Sequence, residues 1–286
     1  MFRGLEFGQA VEFWSKFPIA SLARINLSFV PLWDMLSHND VGYTDVASVG
    51  PGSCTHEVAL ALLSEHANVH CFDATDSYIP DRTRPYFDDL PRLHFEIYDL
   101  SRDLEQDFDL VLAIQTLQHI ADAEAALDVL VRAVRPGGHL YIDTPVFHER
   151  PEREPDYERH KERVWANNQY HHIGFSRRLM AERIASRGLE LVDSGYYSYL
   201  AGDHSVMRYA RESQIESAAQ ATPATVRALN RSLSVSLVGC ERAYADRRDM
   251  IDELPHADRV CHAIRLLARR PEDPSPRKTA RRLRQV

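Results

Sequence analysis

Residues 44–73 read TDVASVGPGSCTHEVALALLSEHANVHCFD. A short apolar run, Thr44–Val49, stops at Gly50-Pro51-Gly52. Val58, Ala59, Leu62 and Leu63 then recur at helical spacing over Thr55–His66. A second apolar run, Asn68–Phe72, closes on Asp73. Strand, glycine turn, helix, strand is the opening unit of a parallel α/β sheet. Glycines in the first turn let backbone approach a ligand, and the following helix start offers unpaired N–H groups. The spacing is not that of a dinucleotide fingerprint, because the third glycine of G-x-G-x-x-G would fall at Thr55.

The same rhythm continues outward. Arg92–Tyr98 alternates as a third strand closing on Asp99, and Phe108–Ala113 is a fourth. Asp122 caps a helix over Ala123–Val134, and Pro136-Gly137-Gly138 is expected to end it. His139–Thr144 is a fifth strand. Ser176 caps a helix to Arg187, with Gly188 as its stop. Leu189–Tyr199 and Ser205–Arg211 read as a strand hairpin, and Pro223–Tyr244 and Pro255–Arg269 as C-terminal helices. The fold class expected is α/β: a Rossmann-like, seven-stranded, mainly parallel sheet with helices on both faces and helical additions at both ends. The divisions expected are a helical lid over 1–43, a core over 44–212 with a charged insertion at 147–173, helices over 213–270, and a disordered basic tail over 271–286. The apolar stripe Val226, Leu229, Leu233, Leu237, Val260, Ile264 and Leu267 either covers the sheet or forms a homodimer interface.

Composition narrows the partners. The 286 residues carry a net charge of −8. From Arg259 onwards there are nine basic and two acidic residues, so that end carries +7 and residues 1–258 carry −15. An acidic body does not fit a nucleic-acid binder, whose folded face should be basic. The +7 end is read as an appendage outside the sheet. No segment approaches the ~20 apolar residues of a membrane span, and no signal peptide is expected. The four cysteines (Cys54, Cys71, Cys240, Cys261) stand far apart with no C-x-x-C. That disfavours zinc and a disulfide framework and suits a reducing, cytoplasmic setting.

Placement then selects candidate site residues. Asp73 ends the second strand, 21 residues after Gly52, where a carboxylate can accept from both hydroxyls of a ribose. Asp99 ends the third strand, where an acid can accept from an adenine amine with Leu100 beside the ring. The fourth strand leads to Gln115 and His119, which would share a face if that turn is helical. All lie at C-terminal strand ends, where open α/β sheets bind ligands.

Together VASVGPGS, VHCFDATD, FEIYDLS, FDLVLAIQTLQHIAD and VRPGGHLYIDTP resemble class I S-adenosylmethionine-dependent methyltransferases of the small-molecule type. The resemblance extends over about residues 44–211, through HHIGFSRRLMAERIASRGLELVDSGYY. It implies S-adenosyl-L-methionine as cofactor, held by Gly50, Pro51, Gly52, Asp73, Ala74, Asp99, Leu100 and Gln115. Two positions depart from the family pattern. Ser48 stands where an acid often helps organise the methionine end of the cofactor, and Cys54 stands at the third glycine.

The implied reaction is in-line attack on a sulfonium methyl group, with the protein aligning the nucleophile and excluding water. A histidine base would serve an alcohol, phenol or acidic carbon, and His119, His171, His172 and His148 are the candidates. A metal site drawn from His148, His160, His171 or Asp143 matches no ligand spacing, so no metal is expected. Phe13, Trp14, Phe17, Phe29 and Trp33, with Tyr157, Trp165 and Tyr170 of the insertion, suit a small apolar or aromatic substrate, although most such rings serve cores. Two other readings keep the fold: a non-methylating reaction such as cyclisation or decarboxylation, and a non-catalytic partner subunit.

Overall fold

The computed structural model describes residues 29–64, 66–79, 83–100, 102–104, 106–145, 171–172, 175–199 and 261–272. The expected helices over residues 1–28 and 223–244, the strand Ser205–Arg211, most of the charged insertion, and the tail after Glu272 lie outside them.

The elements are α1 (Val30–His38), β1 (Asp45–Val49), α2 (Thr55–Leu63), β2 (Asn68–Asp73), α3 (Pro85–Asp89), β3 (Leu93–Ile97), β4 (Phe108–Ile114), α4 (Ala123–Ala133), β5 (Val134–Pro145), α5 (Arg177–Ser186), β6 (Glu190–Tyr199) and β7 (Cys261–Arg269). The strands form one sheet in the order β3-β2-β1-β4-β5-β7-β6. Neighbours from β3 through β5 pair parallel, and β7 runs antiparallel to both β5 and β6. The seven-stranded, mainly parallel sheet is as the sequence implies.

Each face carries its own core. Along β4, Leu110, Leu112 and Ile114 enter one cluster and Val111 and Ala113 the other, the alternation of a strand covered on both sides. Leu32, Met35 and Leu36 of α1 and Val58 and Leu60 of α2 fill the first cluster. Leu127 and Leu130 of α4, with Met180 and Ile184 of α5, fill the second. Asp122 and Ser176 cap α4 and α5 by accepting from the N–H groups of Ala125 and Leu179, which satisfies donors a helix start leaves open.

Three expectations are corrected. First, residues 261–269 are strand β7, not the end of a helix over Pro255–Arg269. Ile264 and Leu267 have helical spacing, but Ala263, Leu266 and Ala268 between and beside them are buried as well. A short apolar run buried on both faces suits a strand, and β7 satisfies the open backbone edge of β5. Ile264 and Leu267 are therefore sheet core, not a dimer stripe. Second, the +7 end is not outside the sheet, since Arg265 and Arg269 belong to β7 and the Arg270 guanidinium donates to the Val134 carbonyl at 2.7 Å. Third, Pro136-Gly137-Gly138 does not follow α4 as a separate turn. It lies at the start of β5, where the pairing shifts from Phe108↔Val134 to Leu110↔His139. Gly138 is required there, because a Cβ would meet the Phe108 carbonyl at 2.9 Å.

Arg265 is fully buried in β7. Its guanidinium donates to the Pro31 carbonyl at 3.2 Å and lies 3.7 Å from the Asp34 carboxylate of α1. Removing one member of a buried pair strands the other. Arg265→Ala is therefore expected to lower unfolding free energy by about 3–5 kcal/mol, measured by urea denaturation.

Candidate functional site

The C-terminal ends of β1, β2, β4 and β5 carry the polar side chains that the cores exclude. At β1 the chain turns through Gly50 and Gly52, with φ +63° and +56°. A Cβ on Gly50 would stand 2.3 Å from the Thr116 Cγ2, so only glycine fits. The Gly50 N–H donates to the Phe72 carbonyl at 2.8 Å, and the Thr116 hydroxyl donates to the Val49 carbonyl at 2.8 Å. These contacts hold the turn between β2 and β4. Cys54 also adopts the left-handed conformation, φ +53°. The backbone thus keeps the shape glycine would take there, at a cost of about 1–2 kcal/mol for an L residue.

Asp73 meets this loop directly, its Oδ2 accepting from the Gly52 N–H at 3.0 Å. Its Oδ1 accepts from the Thr75 N–H at 3.4 Å. Four lone-pair sites on a carboxylate leave capacity for further donors. Ala74, beside it, is exposed, and Pro51 is half-buried. Asp99 is exposed just past β3, and Leu100 packs at the margin of the second core.

Below the loop lies an acid that the sequence reading did not single out. Glu57, in the first turn of α2, is fully buried. Its Oε1 accepts from the Ser48 hydroxyl at 2.5 Å, and its Oε2 has no hydrogen-bond partner among the described residues. Burial pushes its carboxyl up to about 7, opposed by the Ser48 hydrogen bond and reinforced by the negative charge of Asp73.

A second polar group sits at β4 and β5. Gln115 departs from helical geometry with φ +53°, and the turn after it is a single 3-10 turn over Leu117–His119. The shared helical face suggested for Gln115 and His119 is therefore absent. Instead, the Gln115 Nε2 donates to the Asp143 Oδ1 at 2.5 Å. The Tyr197 hydroxyl donates to the other Asp143 oxygen. Asp143 is fully buried, and burial raises its carboxyl to about 7 against the Tyr197 and Gln115 hydrogen bonds and the Arg265 charge. Asp143 was weighed in the sequence only as a metal ligand. No group of three metal-binding side chains occurs among the described residues.

Two of the candidate histidines meet this turn. The N–H groups of His171 and His172 both donate to the Gln118 carbonyl, at 2.8 and 3.1 Å. His119 is exposed on the same turn. The His172 ring leans on Phe175 at 5.5 Å, with its Nε2 buried and unpartnered among the described residues. His148 lies outside the described residues. Phe29 and Trp33 are core side chains stacked at 6.1 Å, so they do not line a pocket mouth.

A family model described as a methyltransferase domain matches residues 47–140. No curated protein sequence matches the chain. Solved structures share its fold. Haemonchus contortus phosphoethanolamine N-methyltransferase 2, in complex with S-adenosyl-L-methionine, is 16% identical with a TM-score of 0.54, covering 84% of this chain and 52% of its own. Coclaurine N-methyltransferase, bound to N-methylheliamine and S-adenosylhomocysteine, is 14% identical with a TM-score of 0.54, covering 85% and 72%. The [4+2]-cyclase SpnF is 16% identical with a TM-score of 0.53, covering 85% and 81%.

Two predictions test the site. Gly50→Ala adds a clash at an unfavourable φ and is expected to destabilise the chain by about 2 kcal/mol or more, read from urea melts. Glu57 and Asp143 have folded-state values near 7, above the ~4 of an unfolded carboxyl. Their contribution to stability is therefore full below about pH 4 and declines until about pH 7. His70 and His139, pushed down by burial, oppose that slope below about 6.5. Comparing wild type with Glu57→Gln at pH 5 and 8 cancels the histidines, and the variant is expected to show the shallower decline. Residues 47–140 are thus similar to a methyltransferase domain, and they lie in a fold that the chain shares with solved methyltransferase structures.

Proposed function

We propose that the chain binds S-adenosyl-L-methionine and methylates a small apolar or aromatic molecule in a cytoplasmic setting. The observation that carries the reading is the link from the Gly52 N–H to Asp73, which sets a glycine turn and a carboxylate side by side at adjoining strand ends. The residues present fit the cofactor. A Cβ on Gly52 would meet no atom within 4 Å, so the turn is open on that side, and Glu57 keeps a buried oxygen without a partner among the described residues.

Gly50, Pro51 and Gly52 present backbone to the ligand, Asp73 and Ala74 take the ribose, and Asp99 and Leu100 flank the adenine. Gln115, held by Asp143, orients the end where the acceptor enters. Bound there, the cofactor supplies an electrophilic methyl group. His172 takes the acceptor's proton at Nε2, because that atom is buried and has no hydrogen-bond partner among the described residues; His119, His171 and His148 are the other candidates. The apolar or aromatic character of the substrate is inferred from the sequence alone, from Tyr157, Trp165 and Tyr170 of the charged insertion. The cytoplasmic setting rests on the unpaired thiols of Cys54 and Cys71.

At a ligand concentration of 100 Kd, S-adenosylhomocysteine is expected to raise the melting temperature by roughly 5–10 °C. Asp73→Ala should abolish that shift, and a flat response of the wild type overturns the reading. Incubation with aromatic acceptors and S-adenosylmethionine, followed by mass spectrometry, should show one methyl group gained. A rearranged product without that gain would favour non-methylating chemistry on the same fold. With an acceptor found, His172→Gln should slow turnover about 100-fold or more.

A further inference from the structure

Two residues before Gly50 the strand carries Ser48 and not an acid, yet the structure places an acid beside it. Ser48 precedes Gly50 by two residues, and its hydroxyl donates to Glu57 Oε1 across the gap between β1 and α2. Glu57 is completely buried and its second oxygen has no partner among the described residues. The groups that face this carboxylate are the Ser48 hydroxyl of β1, the thiols of Cys54 in the loop and Cys71 of β2, and the Asp73 carboxylate at the end of β2. Among the described residues that face it, none is a cation. A buried carboxylate beside a second acid, with one oxygen unused, is costly unless a positive donor arrives.

Resting on the function proposed above, we infer that Glu57 is the positioning residue for the amino-acid end of the cofactor, receiving its α-ammonium group at Oε2 while Ser48 holds Oε1. The cofactor carries two positive centres. The sulfonium has no hydrogen to donate, whereas the ammonium has three. Only the ammonium can satisfy both the charge and the missing hydrogen bond. The acid thus stands on the helix rather than on the strand: β1 supplies the hydroxyl that orients it, and α2 supplies the charge. Pairing the ammonium with Glu57 requires the carboxylate form. Because burial holds the free carboxyl near 7, binding releases a proton when it begins below that pH.

The test uses the full-length chain and two ligands. S-adenosylhomocysteine carries the ammonium, and 5′-methylthioadenosine keeps the adenosine and sulfur without it. By calorimetry, the affinity of wild type for S-adenosylhomocysteine should rise about tenfold from pH 6 to pH 8. Its affinity for methylthioadenosine should change less than about twofold. Glu57→Gln should weaken S-adenosylhomocysteine about 10- to 100-fold at pH 8 and leave methylthioadenosine nearly unchanged. Adding Ser48→Glu to that variant returns an acid to the strand and should recover much of the loss. Equal losses for both ligands in Glu57→Gln, or equal pH dependence for both ligands in wild type, would overturn the assignment and leave Glu57 a structural residue. If the variant does not fold, the wild-type comparison decides alone. A wild type that binds neither ligand at any pH overturns the cofactor reading itself, which is a distinct result.

Discussion

Strand β7 is the constraint on which the rest of the sheet depends. Among the described residues β6 pairs with β7 alone, and β5 has no other partner on that side. Seven residues of β7, Ala263–Arg269, pair antiparallel along the outer edge of β5, and the opposite side of the same segment pairs with β6, so the backbone donors of two strands are satisfied by one segment. Through Arg265 the same strand reaches α1 at Pro31 and Asp34. The polar ends of β4 and β5 stay in place because their strands are fixed on both sides.

The readable part of the chain was the part with local signals. Apolar runs ending on Asp73 and Asp99, the caps Asp122 and Ser176, and the turn at Gly50 each announce themselves within a few residues. β7 did not. Its run CHAIRLLAR has apolar residues three apart, as in a helix, and a charged residue, Arg265, in the middle, as on a solvent face. The charge is buried because a residue far away, Asp34, lies against it. No local pattern reports such a partner.

The site divides in the same way. Backbone features were legible because glycine and strand ends leave marks in sequence. Side-chain networks were not. Glu57 sits between Thr55 and Val58 in an ordinary helical stretch, where an acid reads as surface; only its contact with Ser48 shows that it points inward. Asp143 likewise becomes meaningful through Gln115 and Tyr197, which approach from other strands. Two buried carboxyls near 7 thus lie one at the glycine turn, through Ser48, and one at the ends of β4 and β5, through Gln115.

The distance between β6 and β7 along the chain bears on how the molecule is made. Residues 200–260 separate Tyr199 from Cys261. On a ribosome adding about 5–20 residues each second, β6 emerges roughly 3–12 s before β7, its neighbour among the described strands. During that interval β5 offers an open, apolar edge, the kind of surface that pairs with other nascent chains. Closing so long a loop costs only a few kcal/mol of entropy by the logarithmic dependence on length. The delay is therefore chiefly one of timing: the sheet is completed late, in a single antiparallel insertion, after both of its flanking strands already exist.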